Sequence, residues 1–213
     1  MYDIYTKFKT TSILTLGAIC LMVTTAGLAG PGKPGVNPIK EGGNILEIAA
    51  TVNGLGIENE DEMVGEFAYL LGAVGCLSAQ DQETVIGLLT GSDKYTIFAP
   101  TNQAFRNLQT ALGVVETSPE ASCAVDTLFG SGTLFSVLAY HLTDGRRFSN
   151  SVFNKKNPKS IEMLSGDSIT TLPNLTIMDG AFQIVEPVPS LININASNGV
   201  IHVISTVMLP FAP

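Results

Sequence analysis

YTIFAPTNQAF, at Tyr95–Phe105, is an apolar strand that stops at Pro100 and restarts as a helix capped by Thr101 or Asn102. Thr96, Phe98 and Ala99 are strand formers. Proline lacks the N–H that a sheet ladder needs, so Pro100 ends the run. A Thr or Asn oxygen accepts from a first-turn N–H and opens the helix, and Phe105 then turns back toward the core. A second stretch, NGVIHVISTVMLP at Asn198–Pro210, reads as a long β-branched strand over Val200–Leu209 entered through an Asn-Gly turn. Val200, His202, Ile204, Thr206 and Met208 share one face, and Ile201, Val203, Ser205, Val207 and Leu209 the other. Both faces are largely apolar, which predicts a strand covered on both sides. Between the two stretches lies VLAYHL, Val137–Leu142, closing a helix over Thr133–Leu142 with Leu134, Phe135, Leu138 and Leu142 inward.

Outward from these segments, Ile45, Ile48, Ala49 and Val52 recur at helical spacing after an Asn44 cap. Phe67, Leu70, Leu71 and Val74 do the same before Gly75. Glu83–Leu89 and Asn102–Leu112 are further helical stretches, the latter ended by Gly113. From Gly145 onward the pattern changes to short β-prone runs at Ser160–Leu164, Ser168–Leu172, Leu175–Met178, Ala181–Val185 and Ile192–Ile194, separated by Gly, Asp, Pro and Asn. Helices first and strands mainly later predict an α+β fold with one antiparallel sheet system.

At the start of the chain, Lys7 and Lys9 precede an apolar run, Ile13–Val23, and Gly27-Leu28-Ala29 places small residues before Gly30. This is the pattern of a secretory signal peptide over residues 1–29. The competing reading is a retained anchor, but Ile13–Ala29, at 17 residues, is at the short end for a span, and its threonines and small-residue end favour cleavage. A Gly/Pro-rich linker follows at residues 30–43, and residues 44–211 form the domain. The expected location is secreted, extracellular or periplasmic, with no membrane span after cleavage. Removal of residues 1–29 also takes Cys20, leaving Cys76 and Cys123. An even pair in an exported chain reads as a disulfide rather than two buried thiols.

The formal net charge is −8, and loss of Lys7, Lys9 and Asp3 makes the mature chain one charge more acidic. Such a chain repels phosphate backbones, which excludes nucleic acid as the expected partner and disfavours anionic membranes. Signals for catalysis are thin. There are two histidines and no Trp. The sequence holds no Gly-x-Ser-x-Gly elbow, no phosphate loop ending in Lys-Ser or Lys-Thr, and no Cys-x-x-Cys pair. His141 and His202 stand far apart along the chain, so no metal site is expected, and the motifs leave an enzyme unsupported without excluding one, since catalytic groups can converge from anywhere. In a strand apolar on both faces, His202 reads as a satisfied core or rim group. Tyr140 and His141 have two readings: a hydrogen-bond network fixing the helix to the sheet, or part of a recognition surface.

TIFAPTNQAF, the Tyr140-His141 pair and NGVIHVISTVMLP closely resemble the two boxes and the central Tyr-His motif of the fasciclin domain, with agreement over roughly Asn44–Pro210. VLAYHLTDGRRFSNSV behind a signal peptide resembles the bacterial secreted branch. The resemblance implies a wedge of two antiparallel β-sheets with helices packed around it, and the two boxes on neighbouring central strands. It also implies a non-enzymatic role, without cofactor, in adhesion to a cell-surface or matrix protein or polymer. Interaction sites carry over to Tyr140 and His141, flanked by Val137, Leu138 and Leu142, and to Leu191-Ile192-Asn193-Ile194-Asn195, where Asn193 and Ile194 are the central pair. Asn193 is a neutral amide where animal members carry an aspartate, so integrin recognition by that route is not expected. A second functional reading is a carrier or sensor for a small apolar ligand held between helices and sheet, which requires an apolar cavity of roughly 300 Å³ or more. Asn174 and Asn195 head N-glycosylation sequons that matter only in a glycosylating host.

Overall fold

The computed structural model describes residues 42–54, 67–153 and 156–211. The expected signal peptide and nearly all of the linker lie outside these residues. Three helices come first: α1 (Ile45–Gly54), α2 (Ala68–Gly75) and α3 (Ala79–Thr90). A reciprocal capping box starts α1: the Asn44 side-chain oxygen accepts from the Glu47 N–H at 2.9 Å, and the Glu47 carboxylate accepts from the Asn44 N–H at 2.9 Å. Ser78 caps α3 by accepting from the Asp81 N–H.

Next come β1 (Tyr95–Pro100) and α4 (Asn102–Ala111). Of the two candidate caps, Thr101 holds the role, accepting from the Ala104 N–H at 3.1 Å. Asn102 instead turns inward and accepts from the Tyr69 N–H at 3.0 Å, fastening α2 onto α4. A 3-10 turn at Glu120–Cys123 leads into α5 (Ala124–Phe129), followed by α6 (Thr133–Ala139) and β2 (Leu142–Asp144). Cys76, just past α2, is bridged to Cys123 with the Cα atoms 5.1 Å apart. The remainder is α7 (Ser149–Val152), β3 (Lys159–Glu162), β4 (Ser168–Thr171), β5 (Ile177–Met178), β6 (Ile184–Val185), β7 (Ile194–Ala196) and β8 (Gly199–Ile204).

The strands form two four-stranded sheets, ordered β2-β1-β8-β7 and β3-β4-β5-β6. The two boxes are the central neighbours of the first sheet. They pair in parallel from Tyr95–Gly199 to Pro100–Ile204, while every other pairing between strands is antiparallel. Short connections join β3 to β4, β4 to β5, β5 to β6 and β7 to β8 as antiparallel neighbours, whereas the roughly hundred residues between β1 and β8 leave room for the crossover that parallel pairing needs. Thr96, Phe98, Val200, His202 and Ile204 face the second sheet. Phe98 and Ile204 join Tyr140, Phe153, Ile161, Ile169, Ile177, Val185 and Met208 in the core between the sheets. Both β1 and β8 are buried at every position, as their doubly apolar faces require.

Several elements differ from the sequence reading. Helix α6 ends at Ala139, so Tyr140 and His141 occupy a helix-to-strand junction and Leu142 opens a strand. Strand β8 ends at Ile204 rather than Leu209, because its partner ends at Pro100 and Thr101 takes the Ile204 carbonyl. The turn into β8 is Ser197–Asn198, and Gly199 is already strand. A side chain at Gly199 would collide with the Tyr95 carbonyl and the Ile45 methyl, so close packing rather than turn geometry demands glycine there. The β5 and β6 strands are shorter than predicted: Leu175 and Phe182 adopt left-handed backbone angles (φ 68° and 61°) that interrupt each run.

Candidate functional site

The Tyr140-His141 pair sits where α6, β2 and the end of the chain meet. His141 is 2% exposed. Its Nδ1 lies 2.7 Å from the Val137 carbonyl oxygen, an acceptor, so Nδ1 carries the proton. Its Nε2 accepts from the Met208 N–H at 2.9 Å. One ring therefore satisfies a carbonyl from the last turn of α6 and fixes the strand-exit segment 67 residues later. Burial pulls the His141 pKa down to about 4, the Val137 carbonyl opposing the shift. The ring is neutral, as the accepted hydrogen bond at Nε2 demands.

Tyr140 is fully buried. Its hydroxyl donates to the Ser168 carbonyl at 3.0 Å and accepts from the Gly180 N–H at 2.9 Å. Burial pushes its pKa up to about 12, with the Gly180 donor opposing. Asp179 completes the knot. Its buried carboxylate accepts from the Gln183 N–H and side-chain amide, both at 2.8 Å, and from the Leu209 N–H at 2.9 Å. Gly180 then packs so closely on the Pro210 backbone that no Cβ fits. The last residues of the second box are thus held by two other segments, His141 and the Asp179-Gly180 stretch.

His202, on the other side of Phe98 from His141, performs a matching role. Its Nε2–H donates to the Arg147 carbonyl at 2.8 Å, and its Nδ1 accepts from the Asn193 N–H at 3.3 Å. The ring stacks on Phe98, with centroids 5.6 Å apart. Burial lowers its pKa, the Arg147 carbonyl opposing. Asn193, at φ 61°, accepts from the Ser149 N–H at 2.7 Å and donates from Nδ2 to the Ser149 hydroxyl at 2.8 Å, starting α7 from across the fold.

Of the six residues expected at an interaction surface, Leu138, Tyr140, His141, Leu142 and Ile194 are buried, and Asn193 is half-buried with its side chain bonded to Ser149. They do not form one cluster: Tyr140 and His141 serve the chain end, whereas Asn193 serves α7. The sequence reading missed Asn198, which is 2% exposed. Its side chain accepts from the Ile45 N–H and donates to the Leu89 carbonyl, both at 2.8 Å, joining α1 and α3 to the turn before β8. Burial of Asp179 and Asn198 has no periodic signature, since a polar residue in a loop looks solvated until its partners are known, while Asn102 and Gln109 lie in α4, where their residue type points to solvent. Among the described residues no group of three or more His, Cys, Asp or Glu comes together to hold a metal, and no single helix is long and apolar enough to cross a membrane.

Two concavities stand out among the described residues. An apolar crevice among α4, α5, α6 and the chain end, walled by Phe105, Leu134 and Phe129, holds about 20 Å³ of free volume, room for about one water. The other is an open groove of about 510 Å³ between α7 and the loops flanking β5 and β6. Phe153, Leu175, Pro187, Pro189 and Ile192 form its apolar part. Ser149, Asn150, Asn174, Thr176 and Glu186 supply its polar groups. Asn193 thus reaches the groove indirectly, through its neighbour Ile192 and the Ser149 that it holds at the lip.

With this geometry in place, comparison with known proteins gives a consistent family. The family model of the fasciclin domain matches residues 76–210. Protein sll1483 of a Synechocystis strain is 30% identical over 128 residues, covering 59% of this chain and 61% of its own length. The chain therefore spans about three fifths of that curated relative. Among solved structures, a FAS1 domain pair from the insect cell adhesion molecule fasciclin I aligns with a TM-score of 0.45 and 14% identity, over 67% of this chain and 45% of that one.

Proposed function

The chain belongs to the fasciclin domain family, and from that premise we propose that it is an exported, non-enzymatic adhesion protein contacting a cell-surface or matrix partner. The observation that carries this reading is the contrast between the two concavities. The apolar crevice among α4, α5, α6 and the chain end has about 20 Å³ of free volume, far below the roughly 300 Å³ that a small-molecule chamber needs. The 510 Å³ groove is open to solvent and mixes apolar with polar walls, the character of a macromolecular contact rather than an enclosed carrier site. In the export reading, residues 1–29 direct the chain out of the cell and residues 30–43 hold the domain away from the exit.

A surface-binding assay tests the proposal. The purified, disulfide-intact protein is expected to adhere to intact cells or extracted matrix of its own host in a saturable manner. Binding no greater than that of an unrelated exported protein of equal charge would refute it.

A further inference from the structure

The net charge of −8 conceals a local exception. From Gly145 to Ile161 the chain has no acidic residue, yet it carries Arg146, Arg147, Lys155, Lys156 and Lys159, five of its eleven Lys and Arg. This segment contains α7, the helix whose Ser149, Asn150 and Phe153 line the open groove. Arg146 and Lys156 are exposed, and Arg146 lies over the Phe148 ring, its centroid 6.0 Å away, while bonding the Asn195 side chain. The Lys159 ammonium donates to the Ser151 carbonyl, which brings positive charge to the other end of α7. Among the described residues lining the groove Glu186 is the charged one, and the basic side chains stand at the two ends of α7.

Resting on the adhesion reading, we infer that the groove docks an acidic polypeptide segment of a partner protein, with an apolar side chain seated among Phe153, Pro187, Pro189 and Ile192 and flanking carboxylates meeting the basic rim. Charge complementarity selects the partner's sign: a basic edge on an otherwise acidic protein orients anionic segments toward this face and repels the rest of the surface from them. The apolar floor selects the polypeptide. A polyuronate chain or a nucleic-acid backbone would bring charge to the rim but leave Phe153, Leu175 and Ile192 facing polar groups with nothing apolar to cover them. A peptide places carboxylates and an aliphatic side chain a few ångströms apart along one extended strand. Because Asn193 fixes Ser149 and Ile192 adjoins it, the groove wall is set before a partner arrives, which lowers the ordering cost of binding.

The test uses fluorescence anisotropy with a labelled short peptide of Asp and Glu around a central Leu, titrated with the full disulfide-intact protein. Binding is expected to weaken as salt rises. It should weaken about tenfold in a Lys156→Glu/Lys159→Glu variant and about tenfold when Ser replaces the central Leu in the peptide. An Arg146→Glu variant, matched for melting temperature, provides an independent reversal at the other end of α7. Absence of peptide binding up to about 1 mM overturns the inference. So does equal binding of polygalacturonate, duplex DNA and the Leu-free peptide, since that describes a basic edge without a groove. Adhesion retained by a protein that ignores the peptide leaves the functional reading standing and removes this one; peptide binding without adhesion does the reverse.

Discussion

Replacing His141 with alanine should cost about 3 kcal/mol of stability at pH 7, and that cost should shrink toward zero as pH falls to about 4. The first figure follows from two partners. Without the imidazole, the Met208 N–H loses its acceptor and the Val137 carbonyl loses its donor, both in a site where water does not reach. An unpaired buried group costs about 1–3 kcal/mol, and the space left by the ring adds to it. The pH dependence follows from the neutral state of the ring. The folded pKa of about 4 lies below the ordinary histidine value of 6.5, so between these values the unfolded chain binds a proton that the folded protein refuses. Stability therefore rises with pH across that window: it is fully present above about pH 6.5 and is lost as pH falls toward 4, by roughly 3 kcal/mol in total. His202, shifted in the same direction, adds to the same trend in both proteins. Urea denaturation at intervals from pH 7.5 to pH 4 would measure both curves, with unchanged m-values required for the comparison. The wild-type curve should fall more steeply than that of the variant until the two nearly meet. Parallel curves, or a variant as stable as wild type at pH 7, would refute the assignment of His141 as a neutral structural bridge. A variant of normal stability that no longer adheres would return His141 to the interaction surface.

Two further substitutions or treatments probe the same scaffold. Asn198→Leu leaves the Ile45 N–H and Leu89 carbonyl unpaired at about the same volume, so thermal unfolding should shift down by about 6–12 °C for a loss near 3 kcal/mol; a shift under 2 °C would show that α1 and α3 are held by other means. Alkylation without reductant, followed by mass spectrometry, should leave Cys76 and Cys123 unlabelled, and reduction should cost about 4 kcal/mol for a bridge spanning 47 residues; labelling of both in the folded protein would contradict the bridge.

What the sequence reveals is the inward-facing scaffold. Thr101 as cap, Phe105 as core and the double burial of β1 and β8 all follow from residue type and period, because each is a local or alternating property. The α6 boundary escapes that logic. Leu142 continues the helical spacing of Leu134 and Leu138, yet it pairs with Ile97 in a strand, and only the sheet edge decides between the two. The parallel register of β1 on β8 is likewise a product of topology over a hundred residues. Gly199 illustrates a right residue with a different reason: Asn-Gly signals a turn, but the glycine is needed where β8 passes the Tyr95 carbonyl. The basic segment was visible in the sequence all along, hidden only by averaging charge over the whole chain.

Asn193 shows why the family's contact motifs do not transfer as contacts. At φ 61° the backbone favours asparagine among residues with a Cβ. The side chain accepts from the Ser149 N–H and donates to the Ser149 hydroxyl, while the Asn193 N–H is taken by His202. All three interactions tie it to structure and leave no charge for a metal-bearing receptor. Tyr140 and His141 are occupied in the same way by Ser168, Gly180, Val137 and Met208. A residue whose hydrogen-bond capacity is spent inside the fold contributes to recognition by fixing the position of its neighbours. For Asn193 those neighbours are Ser149 and Ile192 on the groove wall. A partner selected for this protein therefore reads the groove and its basic rim, and changes in the motif residues should reach binding only through loss of the fold.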